Sequence, residues 1–308
     1  MTNLMSSDSP AVPPETAPRP GSRHSTAAGR DKREIKLFSG FAHVALAIWG
    51  LLVIAPLIWV VLASFKSNTE IFTHAPFSLP SQISFETYKT AWTEAHVGRY
   101  FLNSVFVVAI STAGTMLLGS MAAYVLARYK FFGNRFIYYL FVSGLAFPVF
   151  LALVPLFFVV RQLGLLGTYP GLILVYAAYA VPFTVFFLHA FFRTLPAEVA
   201  EAAFLDGCSH ARVFFRVMLP LARPGLVAVG IFNFLGLWNQ YLLPLVLNPD
   251  PDRYVLAQGL AALSVSQGYR SDWSGLFAGL TIAMLPVLIA YVAFQRHIRA
   301  GMTAGAVK

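Results

Sequence analysis

The densest cluster of residues whose types and spacing could do chemistry lies in Arg193–Arg223, which reads RTLPAEVAEAAFLDGCSHARVFFRVMLPLAR. Glu201, Ala202 and Ala203 stand in a row, Asp206 and Gly207 follow, and Val217, Leu219 and Pro220 come further along. Pro196 suits the first turn of a helix. Ala200, Ala202 and Ala203 give that helix a smooth, small-residue surface, Asp206 and Gly207 supply a C-terminal stop, and Ser209 caps a second helix. Val213, Phe214 and Val217 then share one face, and Pro220 ends it. Two short helices meeting at a bend make a surface for contact and break no bonds. Bond-breaking chemistry has no candidate elsewhere. A phosphate-cradling loop needs G-x-x-x-x-G-K-[ST], and no Gly is followed by Lys. There is no H-E-x-x-H pair, nucleophile elbow or intramembrane Asp pair. Cys208 is the single cysteine, which excludes an intrachain disulfide framework and any multi-cysteine metal cluster.

The elements that position this segment are set by composition. Of the 308 residues 57% are hydrophobic and 11% charged, well above the apolar content of an average soluble domain. Charges are absent from 37–65, 100–127, 136–160, 162–192, 224–249 and 273–295, and each run exceeds the ~20 residues that cross a bilayer. The reading is an all-α integral membrane protein with six transmembrane helices. Gln162 to Thr168 form a short turn, so span four runs from Tyr169 to Phe192. Sixteen of the 22 lysines and arginines fall in the tail and in the segments that share its side, including Arg128, Lys130, Arg135, Arg193, Arg212, Arg216 and Arg223. The other segments hold six basic and six acidic residues. The formal charge of +9 is therefore a topology signal that places both termini and Arg193–Arg223 in the cytoplasm, and it is not a nucleic-acid footprint.

Residues 1–36 are rich in Pro, Ser, Thr and Ala and read as a disordered cytoplasmic tail. The six-span domain covers 37–300, with 301–308 as a C-terminal tail. The first apolar run has no cleavage pattern and stays as an anchor. The outer loop from Lys66 to Arg99 is of mixed polarity. Pro56, Pro148, Pro155, Pro182, Pro244 and Pro286 lie inside spans, either as packing kinks or as bends at a gate. The stretch between Arg253 and Arg270 is too short for a seventh span and reads as a surface or re-entrant helix. No span contains Asp, Glu, Lys or Arg, although moving an ion usually needs a charged or titratable partner. His189 reads as interfacial. Neutral polar groups remain, among them Asn103, Ser111, Thr115, Ser120, Thr184, Asn233 and Thr281. They serve either as interhelical glue or as the lining of a route for a polar, uncharged solute.

The segment Arg193–Arg223 resembles the EAA loop of ATP-binding-cassette importer permeases, whose pattern is E-A-A, three residues, G, nine residues, I, one residue, L-P. Here Glu201, Ala202, Ala203, Gly207, Leu219 and Pro220 match it, and Val217 takes the Ile place. The resemblance covers nearly all of the chain after the tail. It narrows to carbohydrate-uptake permeases of the maltose-transporter type through Pro182–Phe183, Leu195–Pro196, the tail Gly301–Lys308, and Trp238, Asn239, Gln240 and Tyr241 where that group often has W-N-E-F. Gln240 and Tyr241 depart from that tetrad.

The resemblance implies the transmembrane domain of a type I importer in a bacterial plasma membrane. It implies a second, homologous permease, two ATPase subunits that bind ATP and Mg, and an extracytoplasmic sugar-binding protein; this chain binds no cofactor or metal of its own. It also implies roles. Ala202 and Ala203 allow close approach to an ATPase groove, Asp206 and Gly207 make the bend, and Glu201 pairs with a basic group. Trp238, Asn239, Gln240 and Tyr241 are assigned to the translocation pathway. A secondary carrier for a neutral solute, a membrane scaffold, and an importer permease for a non-sugar substrate are the competing readings.

Overall fold

A computed structural model describes residues 27–270 and 272–304, with side chains placed over 39–265 and 272–295. All regular elements among the described residues are helical. The chain divides into two units, residues 1–57 and 58–308.

In the first unit the helix α1 (Ala27–Ala63) begins ten residues before the expected end of the tail. The run Ala27–Lys36 carries Ala, Arg, Lys and Glu, all good helix formers, so it extends the helix instead of ending it. Residues 1–26 of the expected tail lie outside the described residues. Phe41, Leu46, Trp49 and Leu51 are exposed on several sides of α1, and its apolar stretch Ser39–Ala63 has a mean hydropathy of 2.6, with no residue of its most apolar 18 buried in protein. A helix apolar all round and uncovered by protein has lipid as its solvent.

The second unit is built on α4 (Val97–Arg128) and α7 (Tyr169–Thr194), which run side by side. The short helices α2 (Asn68–Thr73) and α3 (Glu86–Thr93) precede them. Gly119 lets α4 and α7 approach, because a Cβ there would lie 2.6 Å from Thr184 Cγ2. Two buried clusters result. One joins Val107, Tyr176, Leu243, Leu256 and Ile282, and the other, at the end carrying Arg193–Arg223, joins Tyr124, Leu188, Phe192, Phe214 and Met218. Between α1 and α2, Ser67 and Glu70 form a reciprocal cap. Hydrogen bonds to Ser81, then to the backbone of Ser67 and Ser81, pull the Glu70 carboxyl down to about 2.

Two expected spans are broken. The run 136–160 is two helices, α5 (Asn134–Ala146) and α6 (Val149–Gln162), bent by 106°. Pro148 removes a backbone donor and pushes Phe147 out of helical geometry, to φ −80° and ψ 119°. By contrast Pro56, Pro155, Pro182 and Pro286 sit inside continuing helices. The segment Arg193–Arg223 forms α8 (Ala197–Leu205), α9 (His210–Val213), a π turn over Phe214–Met218 and α10 (Leu219–Leu221).

The run 224–249 then holds α11 (Arg223–Trp238) and α12 (Leu242–Leu247). The break falls at Asn239–Tyr241, where side chains take over backbone groups: Asn239 Nδ2 donates to Leu235 O at 2.8 Å, and Tyr241 N donates to Gln240 Oε1 at 3.2 Å. With 16 residues, α11 is about 24 Å long, shorter than the expected span. Beyond it, α13 (Leu256–Arg270) buries Leu256 and Leu260 against α4 and α14 (Trp273–Ala304). Leu256 N donates to Ser104 Oγ at 2.7 Å, and Gln258 Nε2 to Asn248 O at 2.7 Å. The stretch read as a surface or re-entrant helix is thus a packed part of the bundle. Of the expected C-terminal tail, 301–304 continue α14 and the rest lies outside the described residues.

Candidate functional site

The EAA residues occupy a helix with two distinct faces. Ala200 and Ala203 point into the cluster around Phe192 and Phe214, whereas Glu198, Glu201, Ala202 and Leu205 form an exposed stripe at helical spacing. Ala202 and Ala203 therefore differ in position. Ala202 is on the open face, and Ala203 packs inward so that α8 seats closely on the π turn. Leu205 was not singled out in the sequence and is 89% exposed, the most open apolar side chain on this helix. Its signal was the i, i+4 relation to Glu201.

The helix ends as its residues dictate. Asp206 is the C-cap, Gly207 takes φ +79°, and Cys208 N donates to Ala203 O at 3.0 Å. A Cβ on Gly207 would meet nothing within 4 Å, so glycine is needed for its backbone angle and not for space. Ser209 Oγ then accepts from Arg212 N and starts α9. Val217 and Leu219 are half-buried beside Phe214 and Met218, and Pro220 is exposed.

Two links tie this loop to the membrane helices. Arg128 Nη2, at the end of α4, donates to Leu195 O at 2.6 Å, and Tyr129 OH meets His210 Nδ1 at 2.8 Å. The segment His210–Leu221 also runs directly into α11 with a 78° turn. The segment that carries α8 is thus joined to the ends of α4 and α11 by short connections.

α11 faces a cavity of about 600 Å³ beside the α5–α6 bend. Phe147, Tyr179, Phe183 and Phe232 supply aromatic faces, Gly236 leaves an open wall, and Asn233 supplies an amide. Asn233 Nδ2 donates to Thr184 Oγ1 at 2.7 Å, which donates to Ala180 O at 2.9 Å. Both polar residues belong to the neutral set read from the sequence; the aromatic residues do not. The spacing of four between Tyr179 and Phe183 on α7 is visible in the sequence, but not which helices meet there.

The tetrad adjoins this cavity without lining it. Trp238 is buried, with Nε1 donating to Ala283 O at 3.2 Å and its ring edge-on to Phe101 at 5.6 Å. Asn239 and Gln240 bond within their own turn, and Tyr241 is exposed. The other polar groups divide similarly. Asn103 Nδ2 bonds Asp252 O and Tyr254 O, and Tyr169 OH donates to its Oδ1 at 2.8 Å, which is interhelical glue. His189 stacks on Tyr138 with ring centroids 4.2 Å apart. The described residues hold no group of three or more His, Cys, Asp or Glu able to bind a metal.

Residues 115–304 match the family described as binding-protein-dependent transport system inner membrane component. The chain belongs to this family. As the permease component it is a transport subunit and not an enzyme. The diacetylchitobiose uptake system permease protein NgcG of Streptomyces coelicolor is 54% identical over 91% of each chain. The arabinooligosaccharides transport system permease protein AraQ of Halalkalibacterium halodurans is 35% identical, over 87% of this chain and 94% of that one. The trehalose transport system permease protein SugB of Mycobacterium tuberculosis is 33% identical, over 82% and 91%. Among solved structures, a chain of a bacterial ABC transporter involved in the import of alginate superposes with a TM-score of 0.74 at 21% identity, over 86% of this chain and 97% of that one. Its fold is thus that of an ABC importer permease.

Proposed function

We propose that this permease forms half of a route for a sugar, with an N-acetylglucosamine disaccharide such as diacetylchitobiose as its substrate, and that α8 couples the route to a cytoplasmic ATPase. The substrate reading is supported by the 54% identity to a diacetylchitobiose uptake permease and by related permeases named for other oligosaccharides. A cavity walled by aromatic faces and one amide, with no acidic or basic side chain, suits a neutral sugar with apolar ring faces.

The observation that carries the coupling reading is the exposed stripe of Glu198, Glu201, Ala202 and Leu205 beside the Gly207 bend, on a helix linked to α4 and α11. Leu205 enters an apolar groove of the ATPase, Ala202 lets the backbones approach, and Glu201 meets a basic group. ATP and its Mg²⁺ are handled by two ATPase subunits. A second, homologous permease completes the pathway, and an extracytoplasmic binding protein delivers the sugar. The excess of Lys and Arg in the tail and in the segments that share its side, Arg193–Arg223 among them, supports a cytoplasmic position for α8 and both termini.

The test is reconstitution in proteoliposomes of this chain with a partner permease, an ATPase and a sugar-binding protein. Labelled diacetylchitobiose accumulates only with ATP and all four components. Accumulation by this chain alone on a proton or sodium gradient refutes the coupling reading, and ATP-driven uptake of amino acids or peptides but no sugar refutes the substrate reading.

A further inference from the structure

A second cavity, of about 680 Å³, lies at the α8 end of the bundle between the end of α4, the start of α5 and the end of α7. Four cations line it, Arg128, Lys130, Arg135 and Arg193, and no carboxylate does. None of the four takes part in an ion pair among the described residues. Like charges gathered without a counter-ion repel one another, so an anion from outside the chain would stabilise the arrangement.

The pocket is held in shape by bonds that its cations do not supply. Gly133 turns the chain at φ +83°, and Asn134 Nδ2 donates to Tyr129 O at 2.7 Å and to Leu126 O at 3.1 Å, fixing the loop between α4 and α5. Tyr138 stacks on His189 to form the floor, and the Arg135 guanidinium lies 5.7 Å from the Tyr139 ring centre. Arg128 uses Nη2 on Leu195 O, while its Nε is enclosed and has no partner.

What surrounds the pocket decides the source of that anion. Phe132 is fully exposed, and Phe136 and Leu140, one helical turn apart on α5, are 73% and 61% exposed. An apolar apron beside a cationic pocket, at the end of membrane helices, matches a molecule with an anionic head and hydrocarbon chains. Neither a soluble phosphate nor an acidic protein surface has a hydrocarbon chain to lay along the apron.

We propose that this pocket binds the phosphate of an anionic membrane lipid, with Arg128, Lys130, Arg135 and Arg193 around the headgroup and the acyl chains along Phe136 and Leu140. The site does not depend on which sugar the permease carries. Because Arg128 also holds the loop that leads to α8, an occupied pocket stiffens the connection through which α8 acts.

The experiment is native mass spectrometry of the purified full-length chain in neutral detergent, titrated with phosphatidylglycerol, phosphatidylcholine or inorganic phosphate. Phosphatidylglycerol is expected to bind at one preferred site and to outlast phosphatidylcholine on activation. The triple variant K130Q/R135Q/R193Q is expected to lose affinity by about 100-fold, from roughly fivefold for each cation removed near the headgroup. A charge-conserving triple variant, K130R/R135K/R193K, separates loss of the site from loss of the fold by keeping most of the affinity. Equal retention of the two lipids, or equal affinity in the neutral triple variant, overturns the proposal. Saturation by inorganic phosphate that excludes the lipid assigns the pocket to a soluble anion and overturns it too. No sugar or ATPase is involved, so this result and that of the transport assay are independent.

Discussion

Gly207 is the position where a single atom tests the proposed coupling role of α8. Its φ of +79° puts it in the left-handed region, where an L side chain costs about 1–2 kcal/mol. A Cβ there meets nothing within 4 Å, so steric clash contributes nothing and the whole effect is backbone strain. The bend it makes is closed by Asp206 N to Ala202 O, Gly207 N to Phe204 O and Cys208 N to Ala203 O, each at 3.0 Å. A substituted chain either keeps these bonds and loses stability, or opens the bend and lowers the docking-competent population by roughly 5- to 30-fold, the equivalent of that strain. The expected order of coupling is Gly, then Asn, then Ala, then Val, because Asn tolerates the left-handed region and a β-branched residue tolerates it least. Sugar-stimulated ATP hydrolysis by the reconstituted transporter, together with co-purification of the ATPase, measures that order, and membrane levels of each variant control for folding. Full activity in Gly207→Val, or Asn performing worse than Ala, refutes the reasoning, since side-chain size and not φ would then set the effect.

The partly exposed thiol of Cys208 reports on orientation: a membrane-impermeant maleimide is expected to label it in inverted vesicles and not in intact spheroplasts, and labelling from outside reverses the topology. Gly119→Ala places a methyl 2.6 Å from Thr184 Cγ2, so a loss of about 1–3 kcal/mol is expected. Adding Thr184→Ser removes that methyl while keeping the hydroxyl that Asn233 uses, and most of the loss is expected to return. Thermal unfolding in detergent of the single and double variants measures this, and additive losses contradict it.

Charge and hydropathy fixed the class of this protein because the bilayer gives apolar runs of sufficient length one workable conformation, in which every backbone group bonds within its own helix. The cap residues Ser209 and Gly207 were legible for a related reason. They act on backbone groups a few positions away, so the local sequence specifies them almost completely. The E-A-A and L-P spacing marked the segment proposed to couple to the ATPase, yet its two faces were not visible there, since Ala202 and Ala203 differ only in what packs against them. Pro148 and the tetrad at Trp238–Tyr241 were noticed, but whether a proline kinks a helix or splits it depends on which neighbours satisfy the freed groups. Pro182 and Pro148 have opposite outcomes in the same chain. The cavity of Tyr179, Phe183, Phe232 and Asn233, and the cationic pocket of Arg128, Lys130, Arg135 and Arg193, join residues from helices far apart in sequence. Sequence periodicity gives each helix a face. Only packing in three dimensions decided which faces meet, because apolar helices in lipid are sorted by close fit at residues such as Gly119 and Thr184 and not by hydrophobicity.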